Sequence, residues 1–128
     1  SMKRKQFVKG IHQLAEEGAI QTFRRTETGR EEFLVGVVGV LQFEVLEHRL
    51  KTEYGVTMLM DRLPFRYVRW VVKTPKPVED LKLTSTSGRA YDSEGRDVLL
   101  FENEWSIRLA QENNEGLELA ETASRQQG

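Results

Sequence analysis

The stretch GVVGVLQFEVLEHRLKTEYGV, residues 36–56, decides the fold because it joins the end of a strand, a glycine turn and a helix. Helical periodicity predicts a helix from about Val40 to Tyr54, which Gly55 ends. One side of this helix is expected to cover a sheet, and it carries Phe43, Leu46, Leu50 and Tyr54. The opposite side carries a second apolar pair, Leu41 and Val45.

That second apolar side needs an explanation, because a helix packed on a sheet buries only one stripe. Two interpretations of Leu41 and Val45 are equally open from the sequence. In the first, residues 97–121 of the same chain fold back over them. In the second, the pair is an inter-domain face on which another domain or a partner docks.

Outward from this helix, the pattern of apolar residues predicts an ordered series of elements. The predicted elements are a helix over 3–17, strands over 19–25 and 31–38 joined by a turn at 26–29, then strand-like runs over 56–63 and 65–72. The order helix, strand, strand, helix, strand is that of a split β-α-β unit without its first strand. The sequence therefore predicts an α+β fold with a ferredoxin-like plait over 3–72, whose first strand is expected to be missing.

The second part of the chain is expected to be less regular. Residues 73–96 are rich in Pro, Gly, Ser and Thr, which predicts a loop-rich connection. A C-terminal α/β extension is expected over 97–121, and residues 122–128 are expected to be a disordered tail. Either the strand at 97–101 or the one at 116–121 occupies the position of the missing strand, or two chains pair there. The first alternative is favoured slightly, because a strand of the same chain is always at high effective concentration.

The composition is that of an ordinary globular domain, with 30% charged residues, no cysteine and a net charge of −1. The charge is uneven, since residues 1–72 carry a net +3 and residues 73–128 a net −4. An anionic partner is therefore expected to meet the first part. Ser1 before Met2 is typical of a cloning remnant, so the chain is expected to be a piece of a longer protein. No apolar run is long enough for a transmembrane helix.

The motifs of catalysis are not found. Neither the G-x-x-x-x-G-K-[ST] phosphate loop nor the G-x-G-x-x-G dinucleotide motif occurs in the sequence. His12 and His48 are the only histidines, and the chain has no cysteine, so a metal site is not expected. The sequence therefore predicts no catalytic, cofactor-binding or metal site in this chain.

One constellation of residues is typical of nucleic-acid contacts. Arginine beside aromatic side chains suits phosphate binding and base stacking, and the candidate residues are Arg62, Arg66, Arg69, Trp70, Arg24 and Arg25. The plainer interpretation, favoured on these residues alone, is that Trp70 belongs to the core and the arginines solvate an edge strand.

Several stretches in order resemble one family. LAEEGAIQTF (14–23), VGVVGVLQFEVLEHRLKTEYGV (35–56) and RYVRWV (66–71) resemble the C-terminal domain of bacterial peptide chain release factor 3. GVLQFEVLEHRL is also similar to the G-x-L-x-x-E helix of elongation factor G, which implies a fold like domain III or V of that factor. The match is strong over 16–71 and loose over 73–128, where 102–112 corresponds to the final helix of the family.

The resemblance implies a cytoplasmic translational GTPase whose GTP or GDP is bound by a G domain that this chain lacks. It implies a non-catalytic module that helps to remove decoding release factors from the ribosome after termination. The implied partners are small-subunit rRNA and protein, class I release factors, and the G and barrel domains of the same protein. No membrane is implied.

Two other functions share the expected fold. A ferredoxin-like small-molecule-sensing dimer needs a glycine-rich ligand loop, for which GVVGV (36–40) is a poor candidate. An RNA-binding plait needs exposed aromatics on its sheet, for which the candidates are Phe33, Tyr67 and Trp70. Because one fold hosts many functions, the fold alone does not decide between them.

Overall fold

The computed structural model describes residues 2–27, 29–37, 39, 41–57 and 61–123. Over these residues the protein is α+β, with helices α1 (Met2–Glu16), α2 (Leu41–Tyr54) and α3 (Glu104–Asn113). The strands are β1 (Gln21–Glu27), β2 (Arg30–Gly36), β3 (Tyr67–Lys73), β4 (Gly88–Asp92), β5 (Asp97–Phe101) and β6 (Glu118–Ala120). They form one sheet of order β2-β1-β4-β5-β3-β6. The α+β class and the predicted helices are confirmed.

The chain divides into two compact units. The first consists of Ser1–Phe23 and Phe33–Arg62, and the second of Arg24–Glu32 and Leu63–Gly128. The tip of the β1–β2 hairpin therefore belongs to the second unit.

The first unit has a small core between α1 and α2. Its buried members are Ile11, Leu14, Ile20, Leu46, Leu50 and Val56. Gly10 allows the close approach of the helices, because a Cβ there would lie 2.9 Å from both Leu50 Cδ2 and Tyr54 Cδ2. Gly55 ends α2 with φ +67°, a conformation that disfavours side chains.

The second unit has its own core, between one face of the sheet and α3. Its buried members are Leu81, Leu99, Phe101, Ile107, Ala110 and Leu117. Strands β3 and β5 pair antiparallel, with Tyr67 opposite Phe101 and Trp70 opposite Val98. Asn103 caps α3 by accepting the Ser106 backbone N–H at 2.8 Å.

A buried carboxylate organises the β4–β5 turn. Asp92 Oδ2 accepts the Trp70 indole N–H at 2.9 Å and Arg96 Nε at 2.8 Å. Asp92 Oδ1 accepts the backbone N–H groups of Glu94 and Arg96 at 2.9 and 2.8 Å. Burial raises the pKa of Asp92, but donation from Trp70 and Arg96 outweighs it, so the pKa lies below its usual value.

The structure corrects two predictions of secondary structure. Residues 73–96 are not all loop, because β4 forms within them and pairs with β5. Ala90 and Asp92 of this strand are buried in spite of the Gly and Ser around them, so tertiary pairing overrides local composition. The strand predicted over 56–63 is wrong at both ends, since 56–57 and 61–63 are irregular. Its centre, 58–60, lies outside the described residues, as do 124–128 of the expected tail.

The two strands expected to fill a vacant position have different places. Asp97–Phe101 is interior, between β4 and β3, whereas Glu118–Ala120 lies at the edge of the sheet beside β3. The neighbours of β5 both come from the second half of the chain.

Candidate functional site

The start of β3 presents an arginine–aromatic group in the second unit. The guanidinium carbon of Arg69 lies 5.4 Å from the centre of the Tyr67 ring, within cation–π range. Arg69 Nη1 also donates to the Val68 carbonyl at 3.0 Å, which fixes the side chain along the strand. Arg66 is held through its backbone, whose N–H donates to the Phe101 carbonyl at 2.9 Å, and its side chain is exposed.

Two further candidate arginines lie on β1 and differ in their surroundings. Arg24 is exposed, whereas the Arg25 side chain is only 13% exposed. Arg25 Nε donates to Glu32 Oε1 at 2.9 Å, and its guanidinium carbon lies 5.9 Å from the Phe65 ring centre. Because Glu32 balances its charge, Arg25 offers less attraction to a phosphate than an exposed arginine does.

The other two candidates separate from this group. Trp70 is 5% exposed and bonded to Asp92, so it belongs to the core, as the plainer interpretation expected. The rest of that interpretation is wrong, because β3 lies between β5 and β6 and is not an edge strand. Arg62 belongs to the first unit, where its guanidinium carbon lies 5.3 Å from the Phe43 ring centre.

The two sides of α2 differ in their exposure to solvent. Leu46 and Leu50 are 3% and 0% exposed, whereas Leu41 and Val45 are 73% and 46% exposed. The interpretation in which residues 97–121 cover the second pair stays a prediction, because those residues belong to the second unit and α2 belongs to the first. Leu41 and Val45 are one helical turn apart and form an open apolar face, here called the α2 face.

The three aromatic residues proposed for an RNA-binding sheet surface differ in their exposure to solvent. Phe33 is 41% exposed, Tyr67 is half-buried and Trp70 is buried. Trp70 cannot stack on a base without leaving the core.

Basic residues on α1 form a further surface, which is not among the predicted contact residues. Arg4, Lys5, Val8, Lys9 and His12 line a shallow groove. The available signal was charge patterning, because α1 holds no acidic residue before Glu16.

The described residues hold no group of three or more His, Cys, Asp or Glu side chains placed to bind a metal ion. His12 lies on the surface, with Nε2 3.2 Å from Glu16 Oε2. No helix in the described ranges is both long and apolar enough to cross a membrane.

The fold and these surfaces define the class of protein: a two-unit α+β domain that displays arginine–aromatic pairs and an open apolar helix side. The model of the family "Class II release factor RF3, C-terminal domain" matches residues 1–111. The chain belongs to this family.

Similar proteins agree with the family match. The chain is 45% identical over 124 residues to peptide chain release factor 3 of Symbiobacterium thermophilum, covering 96% of the chain and 23% of the relative. It is 42% identical over 106 residues to that of Nostoc punctiforme, covering 83% and 20%. It is 38% identical over 120 residues to that of Streptococcus pneumoniae serotype 19F, covering 94% of the chain and 23% of the relative. The chain spans less than a quarter of the length of these relatives.

Proposed function

We propose that this chain is the non-catalytic C-terminal domain of a translation termination factor that acts in the cytoplasm and promotes dissociation of class I release factors from the ribosome. Membership of the release factor 3 family is the observation that carries the proposal. The hydrolysis of GTP belongs, in this proposal, to a G domain elsewhere in the protein, which binds GTP or GDP. This chain contributes contacts and no chemistry. Its core is related to the plait of elongation factor G.

The contact with the small ribosomal subunit is assigned to the exposed arginines. Arg66 is exposed immediately before β3, and Arg24 is exposed on β1. A guanidinium binds phosphate through two parallel hydrogen bonds and stacks on bases, which suits rRNA. Arg25, Arg62 and the half-buried Arg69 are assigned a supporting role, because each already lies over an aromatic ring. Trp70 supports β3 from within the core.

The α2 face is assigned to packing against the G or barrel domain of the same protein. Leu41 and Val45 are exposed here, and the relatives are more than four times as long as the matched segment. Apolar side chains that remain open in an isolated domain mark a surface that a neighbour covers.

The test uses the full-length factor in a reconstituted termination assay. Arg66→Glu reverses an exposed charge at the proposed contact and leaves the backbone bond to Phe101 intact. We expect slower dissociation of a labelled class I release factor from post-termination ribosomes. Arg108→Glu, an exposed arginine on α3, is the matched control. Equal rates for Arg66→Glu and wild type would reject the assigned contact, and a wild-type factor without effect on dissociation would reject the function.

A further inference from the structure

The α1 groove carries an unusual concentration of positive charge for this protein. The whole chain has a net charge of −1, whereas residues 2–12 hold four Lys or Arg and no acidic residue. Arg4, Lys5 and Lys9 line the groove, and both lysines are exposed. The rest of the chain must therefore be net negative, so residues 2–12 are a positively charged segment of an acidic protein.

The spacing of the cations follows from helix geometry. Lys5 and Lys9 are four residues apart on one side of α1, which places their Cβ atoms about 5–6 Å from each other. His12 continues the same line toward Glu16, the first carboxylate of the helix. Val8 lies between the cations and is 57% exposed, so it offers a small apolar contact for a sugar.

We propose that the α1 groove binds the phosphate backbone of structured RNA, as a surface distinct from the arginines of β3. Protein–RNA contacts of this kind are polar and positive, and they depend on charge more than on apolar area. The proposal extends the ribosome contact of the proposed function to a second element, but RNA binding by the chain is measurable without a ribosome.

Two other anionic partners fit the groove less well. An acidic protein partner would need an apolar centre to its interface, and Val8 is the single apolar residue that lines the groove. A membrane-binding amphipathic helix inserts its apolar face into the lipid. That face of α1 is already buried, with Ile11 5% and Leu14 1% exposed.

The test is a fluorescence anisotropy titration of the 128-residue chain with a labelled RNA hairpin at several salt concentrations. Lys5→Gln with Lys9→Gln removes two cations and keeps side chains of similar helix propensity. Lys76→Gln with Lys82→Gln is the control, since it changes the net charge equally at two exposed lysines of the second unit. Circular dichroism verifies that both variants keep the fold.

We expect the α1 variant to bind the hairpin about ten-fold or more weakly at 0.1 M salt, with a salt-dependence slope smaller by about 2. The control should stay within about three-fold of wild type. Equal losses in the two variants, or no loss in the α1 variant, would overturn the proposal. It would also be overturned if polyglutamate or phosphatidylserine vesicles bound wild type as tightly as RNA. None of these outcomes touches the release-factor assay, in which the α1 lysines are unchanged.

Discussion

Replacing Asp92 by alanine should destabilise the second unit by several kcal/mol. The carboxylate accepts four hydrogen bonds, and the one from the Trp70 indole N–H is buried. A hydrogen bond to a charged group contributes about 1.5–3 kcal/mol. The ion pair with Arg96, whose side chain is 41% exposed, adds about 0.2–1 kcal/mol because solvent screens it. The expected total is about 2–4 kcal/mol.

Urea unfolding followed by tryptophan fluorescence measures this loss selectively. Both tryptophans, Trp70 and Trp105, lie in the second unit, so the signal reports on that unit. With a urea dependence of about 2 kcal/mol per molar, in the middle of the usual range for small proteins, the midpoint should fall by about 1–2 M. Glu94→Ala is the control, because Glu94 pairs with the same guanidinium at 3.0 Å but is 68% exposed. Its loss should stay below about 1 kcal/mol.

The pH dependence separates the charge of Asp92 from its shape. The pKa of Asp92 is lowered in the folded protein, so its stabilising effect is present above the carboxyl pKa of the unfolded chain, about 3.9. The effect is lost as the pH falls through the folded pKa. The stability difference between wild type and Asp92→Asn should therefore shrink in acid. If Asp92→Ala unfolds together with Glu94→Ala, or if the difference is constant with pH, the buried-carboxylate account is refuted.

Two further predictions concern the cores and the turn. Leu50→Ala should lower the free energy of unfolding by about 2–5 kcal/mol because the side chain is fully buried, whereas Leu41→Ala should lower it by under about 0.5 kcal/mol. Urea unfolding monitored by circular dichroism measures both losses. Equal losses would contradict the exposure of the α2 face. Burial and the charge of Glu79 raise the pKa of Asp97, so the ionised carboxylate destabilises the fold as the pH rises above the Asp pKa of the unfolded chain. Asp97→Asn should therefore raise the urea midpoint at pH 7 and lose this gain below about pH 4. A lower midpoint for Asp97→Asn than for wild type at pH 7 would refute this.

The sequence by itself determined the local elements and the family. Helices α1 and α2 follow from apolar residues at helical spacing, and glycine ends them, because helix periodicity and the positive-φ preference of glycine are local properties. The β1–β2 hairpin was predicted from two local strand patterns joined by turn residues, and its outer ends lie within two residues of the predicted ones. Family resemblance depends on which residues follow one another along the chain, so the sequence alone is enough to detect it.

Only the tertiary structure decided which side chains are open and which strands pair. The sequence left Leu41 and Val45 between two interpretations, because exposure depends on which other segments of the chain lie nearby. It missed β4, whose local composition is that of a loop and which is a strand through its pairing with β5. Trp70 was a candidate contact because tryptophan suits both cores and nucleic acids, and the Asp92 carboxylate, 22 residues away in the sequence, places it in the core. Long-range pairings of this kind have no local pattern, so periodicity does not reveal them.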